Sequence, residues 1–152
     1  MRKFLVSLIA VAALGAGAAF AQGGMWAGVS AGYPGAALHF GVDNIAPNLA
    51  VRLNAGYNYI GTAGFAIGAD VLYDLDVDMG DTPIQVYVGG GVGLGIGSGM
   101  ALGINAFVGG EFSLASAGLP QGGVFLEVGP AIGVIPTFGF GVTGRLGFNY
   151  HF

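Results

Sequence analysis

The stretch from Thr137 to Phe152, TFGFGVTGRLGFNYHF, alternates between apolar and small or polar residues along its whole length. Its large apolar residues share the even positions: Phe138, Phe140, Val142, Leu146, Phe148, Tyr150 and Phe152. Successive side chains of a β-strand point to opposite faces, so one face of this strand is apolar and the other is small or polar. Such a strand is longer than usual and suits a tilted crossing of a lipid bilayer, with lipid on its apolar face.

The composition indicates the same environment. Charged residues make up 8% of the chain and hydrophobic residues 54%, whereas a soluble domain of this size carries more charge on its surface. Beyond the N-terminal segment no apolar run is long enough to cross a membrane as a helix. Cysteine is absent, which excludes disulfide and thiolate chemistry.

The N-terminus has the layout of a secretory signal peptide. Arg2 and Lys3 precede an apolar run, and Ala19-Phe20-Ala21 provides the small residues of a cleavage site. We therefore predict a signal peptide at residues 1–21 and one domain at residues 22–152. The predicted mature chain has two arginines against eight acids, a net charge of −6, so it has no basic patch for nucleic acid.

Eight alternating segments predict eight strands. They run from Met25 to Tyr33, Ala36 to Val42, Leu49 to Ile60, Phe65 to Leu75, Ile84 to Ile96, Leu102 to Phe112, Val124 to Gly133 and Thr137 to Phe152. Turn-forming residues separate them, including a two-residue turn at Pro34-Gly35, DNIAPN at 43–48, an acidic turn at 76–83 and a three-residue loop at Gly97-Ser98-Gly99. The fold class predicted is all-β, an eight-stranded antiparallel up-and-down transmembrane barrel.

Aromatic residues on the outward face form two groups when the strands are laid antiparallel. One rim has Tyr33, Tyr57, Tyr59, Phe65, Phe138 and Phe140, and the other has Tyr73, Phe112, Phe148, Tyr150 and Phe152. Two aromatic belts around an aliphatic band are typical of barrels that span a bilayer.

With these features the chain resembles the small eight-stranded outer-membrane barrels of the OmpA and OmpX type. The resemblance covers residues 22–152, and its most specific part is the end, where Phe148, Tyr150 and Phe152 match the terminal aromatic signal read by the outer-membrane assembly machinery. It implies location in the outer membrane after export, with membrane lipid and that machinery as partners. The four loops expected outside are all short, unlike the long outer loops of that family.

The interior is expected to hold an ion-pair network, because both arginines of the predicted mature chain point inward in this alternation. Buried charges in proteins are paired, and narrow barrels fill their centres with side chains. The predicted network residues are Arg52, Asp70, Asp74, Glu111, Glu127 and Arg145. We predict a structural role for them.

Short loops then set the expected strand registers. The opposed pairs are Arg52–Leu72 with Asp70 and Asp74 on diagonals, Arg145–Phe125 with Glu127 on a diagonal, Gly89–Phe107, Tyr87–Gly109, Gln85–Glu111 and Ser30–His39.

Two motifs indicate neither a cofactor nor a strong metal site. Gly139 to Gly144 matches G-x-G-x-x-G but lies inside a strand, whereas the dinucleotide fingerprint opens a helix. The acidic turn lacks the glycine and glutamate that an EF-hand requires, which leaves a solvated turn or weak cation binding.

A structural outer-membrane barrel with a narrow, side-chain-filled lumen is the function predicted, and the protein is not expected to be an enzyme. The alternatives are a small cation-preferring pore, a barrel subunit of a larger envelope complex and, least favoured, a lipid-modifying enzyme using Ser30 and His39.

Overall fold

Eight antiparallel strands close into one barrel in the computed structural model, which describes residues 24–58 and 64–152. The strands are β1 (Met25–Tyr33), β2 (Gly35–Ala46), β3 (Leu49–Asn58), β4 (Gly64–Leu75), β5 (Ile84–Gly97), β6 (Met100–Ser113), β7 (Gly122–Ile135) and β8 (Gly139–His151). Each strand pairs with the next along the chain, and β8 pairs with β1. The predicted fold class is confirmed. The predicted signal peptide at 1–21 lies outside the described residues.

The barrel closes along the whole of β1. Register pairs run from Trp26–His151 to Tyr33–Gly144, and the Phe152 amide donates to the Met25 carbonyl at 2.8 Å. Closure removes the free edges that an open sheet would present, so the strand backbones find partners without water.

The outer surface is apolar, because the alternating residues turn their large hydrophobic side chains away from the axis. Exposed side chains include Leu53, Ile67, Val92, Ile104, Leu126, Val142 and Leu146. The charged strand residues Arg52, Asp70 and Glu127 are buried inside instead. The described part of the chain holds no helix that is long and apolar enough to cross a membrane.

The two ends of the barrel differ in their connections. We call one end the hairpin end, and it carries four connections. Those of β1–β2, β5–β6 and β7–β8 are short. The β3–β4 connection includes residues 59–63, which lie outside the described residues. The opposite end, which we call the terminal end, carries Phe152 and two longer connections, 76–83 and 114–121. The turn predicted at 43–48 is wrong in extent, because β2 continues to Ala46 before turning at residues 47–48.

One predicted strand register is confirmed and three are wrong. Gly89 lies opposite Phe107 as predicted. The differing pairs are Arg52 with Asp70, Arg145 with Glu127, and Ser30 with Ala37. Each difference is a shift of two residues, which leaves every side chain on its predicted face, so alternation alone could not detect it.

Candidate functional site

Four charged side chains meet at the middle of the lumen. We call Arg52, Asp70, Glu127 and Arg145 the central layer. Arg52 on β3 donates from Nε to Asp70 Oδ2 on β4 at 2.9 Å and from Nη2 to the same oxygen at 2.8 Å. Arg145 on β8 donates from Nε to Glu127 Oε2 on β7, its directly opposed neighbour. Each arginine therefore has an acid on the adjacent strand.

Each arginine also reaches across the barrel. Arg52 Nη1 donates to Glu127 Oε1 at 2.6 Å, and Arg145 Nη2 donates to Asp70 Oδ2 at 3.1 Å. The partners within each strand pair are 18 residues apart, and the cross-lumen partners are 75 residues apart. The four groups are thus closed into one ring with two positive and two negative charges.

Burial makes this ring energetically important. Arg52 is 1% exposed and Glu127 is 2% exposed, so water solvates neither charge. Breaking a buried ion pair by removing one partner costs about 3–5 kcal/mol, because the other charge is left without solvation. Tyr87 adds a hydrogen bond from its hydroxyl to Glu127 Oε1 at 2.7 Å.

Aromatic rings fill the space beside the central layer. The Phe107 ring centroid lies 5.2 Å from Arg52 Cζ and 5.3 Å from Arg145 Cζ, so one ring contacts both guanidinium groups. Phe125 is completely buried and lies 6.0 Å from Arg52 Cζ. These distances allow cation–π attraction.

Glycines on neighbouring strands provide the room for these side chains. A Cβ at Gly89 would stand 2.5 Å from Phe107 Cε2, and one at Gly109 would stand 2.6 Å from Tyr87 Cε2. A Cβ at Gly91 would collide with the Asp70 carboxylate. At these inward positions of β5 and β6, the lack of a glycine side chain leaves the space that the large opposed side chain occupies.

A second polar cluster lies toward the terminal end. Glu111 Oε1 is 2.7 Å from His151 Nε2, and Glu111 Oε2 accepts from Asn149. Asn149 Oδ1 in turn lies 2.9 Å from His39 Nε2. Trp26 Nε1 donates to Asp43 Oδ1 at 2.9 Å.

The six predicted network residues thus lie in three different parts of the lumen. Four of them form the central layer, Glu111 belongs to the terminal-end cluster, and Asp74 lines the cavity at the terminal end. The expected contact between Arg52 and Asp74 is wrong, because the register places Asp70 opposite Arg52. Sequence reasoning missed Trp26, Asp43, Asn149 and the Tyr87–Glu127 bond. The alternation placed Trp26, Tyr87 and Asn149 inside the barrel but did not identify their partners, and Asp43, which bonds Trp26 on the adjacent strand, was predicted to lie in a turn.

Ser30 and His39 do not form the predicted pair. His39 lies opposite Gly28, and its Nε2 contacts Asn149 on β8. The turn at Tyr33-Pro34 is displaced by one residue from the predicted Pro34-Gly35 turn, which moves the register by two. Within the described residues no cluster of histidines and acids could hold a metal ion.

The central layer divides the lumen into two cavities. We call the cavity of about 590 Å³ at the terminal end the acidic vestibule, since its lining includes Asp43, Asp74, Asp76 and Glu111. The second cavity lies at the hairpin end. Inside the barrel it is lined by glycine and alanine and by the polar residues Ser30, Asn54, Asn105 and Thr143, with Asp70 and Arg145 at its floor. We call it the hairpin-end vestibule.

The three aromatic residues at the C-terminus lie along the seam between β8 and β1. Phe148 is paired with Val29 on β1, and the Tyr150 and Phe152 rings are 5.4 Å apart in an edge-on contact. Phe152 is 70% exposed on the outer surface. Its side chain is therefore free to contact lipid or protein.

Fold and interior together define a class: small, closed, eight-stranded up-and-down barrels with an apolar exterior and a lumen crossed by ion pairs. The N-terminal β-barrel domain of Pseudomonas aeruginosa OprF is similar in fold, with a TM-score of 0.53 and 13% identity over 86% of this chain and 100% of that one. Neisserial surface protein A (NspA) aligns with a TM-score of 0.45 and 16% identity over 86% and 94%. The resemblance to small outer-membrane barrels is confirmed at the level of the fold. No protein-family description and no curated protein matches the chain.

Proposed function

We propose that this protein is a structural, non-conducting barrel of the outer membrane. The observation that carries the proposal is the central layer, whose ring of four charges crosses the lumen between the two vestibules. Arg52 lines only the acidic vestibule, whereas Asp70 and Arg145 line only the hairpin-end vestibule. An ion crossing the barrel must therefore separate buried, mutually bonded charges, which is energetically costly.

Three features of the chain support the proposed location in the outer membrane. The exterior is apolar, most of its exposed aromatic residues lie toward the two ends, and the fold resembles that of a small outer-membrane barrel. Closed barrels are one of two backbone arrangements that can span a bilayer. On this proposal the partners are membrane lipid and the outer-membrane assembly machinery, which reads the terminal aromatic residues, with envelope-complex subunits as further candidates. The signal peptide at 1–21 would direct export.

Conductance across planar lipid bilayers tests the closed lumen. We expect the refolded wild-type barrel to give no steady single-channel current. The matched variant is Arg52→Ser with Glu127→Ser, which removes one charge of each sign and leaves Asp70 paired with Arg145. This variant should conduct measurably more, since the ring is opened without leaving a net buried charge. Steady current through the wild type would overturn the proposal.

A small cation-preferring pore is the second candidate, and the acidic vestibule favours it. Its lining holds four carboxylates that lie outside the central layer, so a conducting lumen would concentrate cations at the terminal end. Reversal potentials in a salt gradient distinguish this candidate. A wild-type current that selects K⁺ over Cl⁻ would establish it.

A lipid-modifying enzyme is the least supported candidate. A hydrolytic serine needs a base within hydrogen-bond reach, and Ser30 and His39 are on non-opposed positions of β1 and β2. We therefore propose a non-enzymatic role.

A further inference from the structure

His151 stands between two carboxylates at the terminal end of the lumen. Its Nε2 is 2.7 Å from Glu111 Oε1 on β6, and its Nδ1 is 3.9 Å from Asp43 Oδ2 on β2. Strand β8, which carries His151, pairs with β7 and β1, so the two acids come from the strands that lie beyond these neighbours on either side. One ring therefore lies between the two sides of the terminal end.

The charge on the ring decides how many of these contacts it makes. A neutral imidazole has one N–H group, whereas an imidazolium donates from both nitrogens. An ionised carboxylate only accepts, so the 2.7 Å contact with Glu111 places the N–H of the neutral ring on Nε2. Nδ1 then faces Asp43 with a lone pair. The distance of 3.9 Å is too long for a hydrogen bond, as expected for a ring that is bonded on one side only.

The terminal end carries an excess of negative charge. Within residues 24–58 and 64–152 the only arginines are Arg52 and Arg145, lysine is absent, and both arginines are bonded in the central layer. The acids outside that layer are all on the terminal-end side of it: Asp43, Asp74, Asp76, Asp78, Asp81 and Glu111. Asp74 and Asp76 face His151 across the acidic vestibule. These carboxylates favour a positive charge on the ring.

Trp26 and His39 complete the surroundings of His151. The Trp26 ring centroid is 6.4 Å from that of His151, and Trp26 Nε1 donates to the Asp43 carboxylate at 2.9 Å. His39 is 5% exposed and reaches Glu111 only through Asn149. The His151 side chain is 39% exposed, so protons from water reach it directly.

We propose that His151 is a pH-sensitive contact that tightens the terminal end of the barrel when it is protonated. The added proton on Nδ1 is donated to Asp43, which draws the end of β2 toward β8, while Nε2 keeps its bond to Glu111 on β6. Histidine changes its charge between about pH 5 and pH 8. This inference goes beyond the structural role proposed above, and it does not depend on whether the lumen conducts.

Trp26 reports on this contact, because it is the only tryptophan and it shares Asp43 with His151. Its fluorescence emission is recorded in lipid nanodiscs from about pH 8 to about pH 5.5. We expect one reversible change in the wild type and none in His151→Gln, whose side chain can still donate to Glu111 but does not titrate. A constant wild-type emission, or the same change in His151→Gln, would overturn the proposal.

Two further variants assign the change to this contact. Asp43→Asn keeps an oxygen for the Trp26 bond but removes one carboxylate, so the midpoint of the emission change should move to lower pH. His39→Gln is the matched control, since it removes the other histidine and should leave the midpoint in place. Loss of the change in His39→Gln, or an unmoved midpoint in Asp43→Asn, would contradict the role of His151.

Unfolding in urea tests the tightening itself. Relative to His151→Gln, the ratio of folded to unfolded wild-type protein should rise by about threefold or more from pH 8 to pH 6, the size expected of a partly exposed ion pair. The sign follows because the imidazolium gains two fixed carboxylates on folding, which stabilises the folded state where the ring is protonated. The same response to pH in both proteins would show that protonation does not tighten the contact.

Discussion

Arg52 and Glu127 lie on opposite walls of the barrel, and their side chains meet in the lumen with Nη1 and Oε1 2.6 Å apart. The two residues are 75 positions apart in the chain, on strands separated by half the barrel. Their contact ties the β3–β4 pair to the β7–β8 pair across the axis. The barrel is therefore stabilised through its centre as well as around its wall.

Replacing Arg52 with methionine should destabilise the barrel by about 3–5 kcal/mol, because Asp70 and Glu127 each lose a buried partner. The measurement is the free energy of unfolding in urea, with the protein in lipid vesicles. Asp78→Asn in the exposed turn is the matched control and should change stability by less than about 0.5 kcal/mol. Wild-type stability of Arg52→Met would mean that water solvates Arg52.

The double variant Arg52→Met with Asp70→Leu distinguishes two contributions to stability. One is the loss of the ion pair itself, and the other is the cost of leaving a buried charge without a partner. It removes one charge of each sign and leaves Arg145 bonded to Glu127. Neutral replacement of a buried ion pair is often tolerated, so this variant should regain part of the stability lost in Arg52→Met. The same unfolding assay checks it, and a double variant less stable than the single one would contradict this explanation.

Gly89→Leu should destabilise the barrel by about 1–3 kcal/mol through overpacking, since its added atoms would enter the Phe107 ring. The control is Gly141→Leu, which faces open space among the described residues and should stay near wild type. Urea unfolding of both variants provides the comparison. Equal stability of the two would show that Phe107 is free to move away.

Deletion of Phe152 should lower the amount of folded barrel in the outer membrane. The deletion removes the exposed terminal ring and the amide that donates to Met25 at the closing seam. Folded protein is measured as the fraction that resists unfolding by detergent without heating. Phe138→Ala is the control, because Phe138 is comparably exposed but lies at the hairpin end. Normal assembly of the truncated protein would refute the terminal-signal hypothesis.

Trp26 is the only tryptophan and is 3% exposed, with its ring inside the barrel. We expect its fluorescence in vesicles to resist quenching by lipids with brominated acyl chains. The matched variant Trp26→Phe with Leu126→Trp moves the fluorophore to an outward position that is 61% exposed. That variant should be strongly quenched. Equal quenching of both proteins would show that the predicted inside and outside faces are wrong.

The fold was accessible from sequence because alternation is a local property. Each strand shows its two faces in its own residues, and Gly and Pro punctuate the turns. The inward positions of Arg52, Glu127 and Phe125 therefore follow from parity alone. The register of the β5–β6 hairpin was also predicted correctly, because the parity of the two strands and a three-residue loop at Gly97-Ser98-Gly99 place Gly89 opposite Phe107.

The tertiary structure decided which inward residues touch. A shift of two residues keeps every side chain on its face, so parity could not choose between Leu72 and Asp70 as the residue opposite Arg52. In the closed barrel Glu127 on β7 bonds Arg52 and Arg145 on β8 bonds Asp70, and the alternation of β3 and β4 carries no information about these partners. Local pattern thus determined the strands and their two faces, whereas the ring of charges across the lumen arises from contacts between residues 75 positions apart, whose distances no local periodicity encodes.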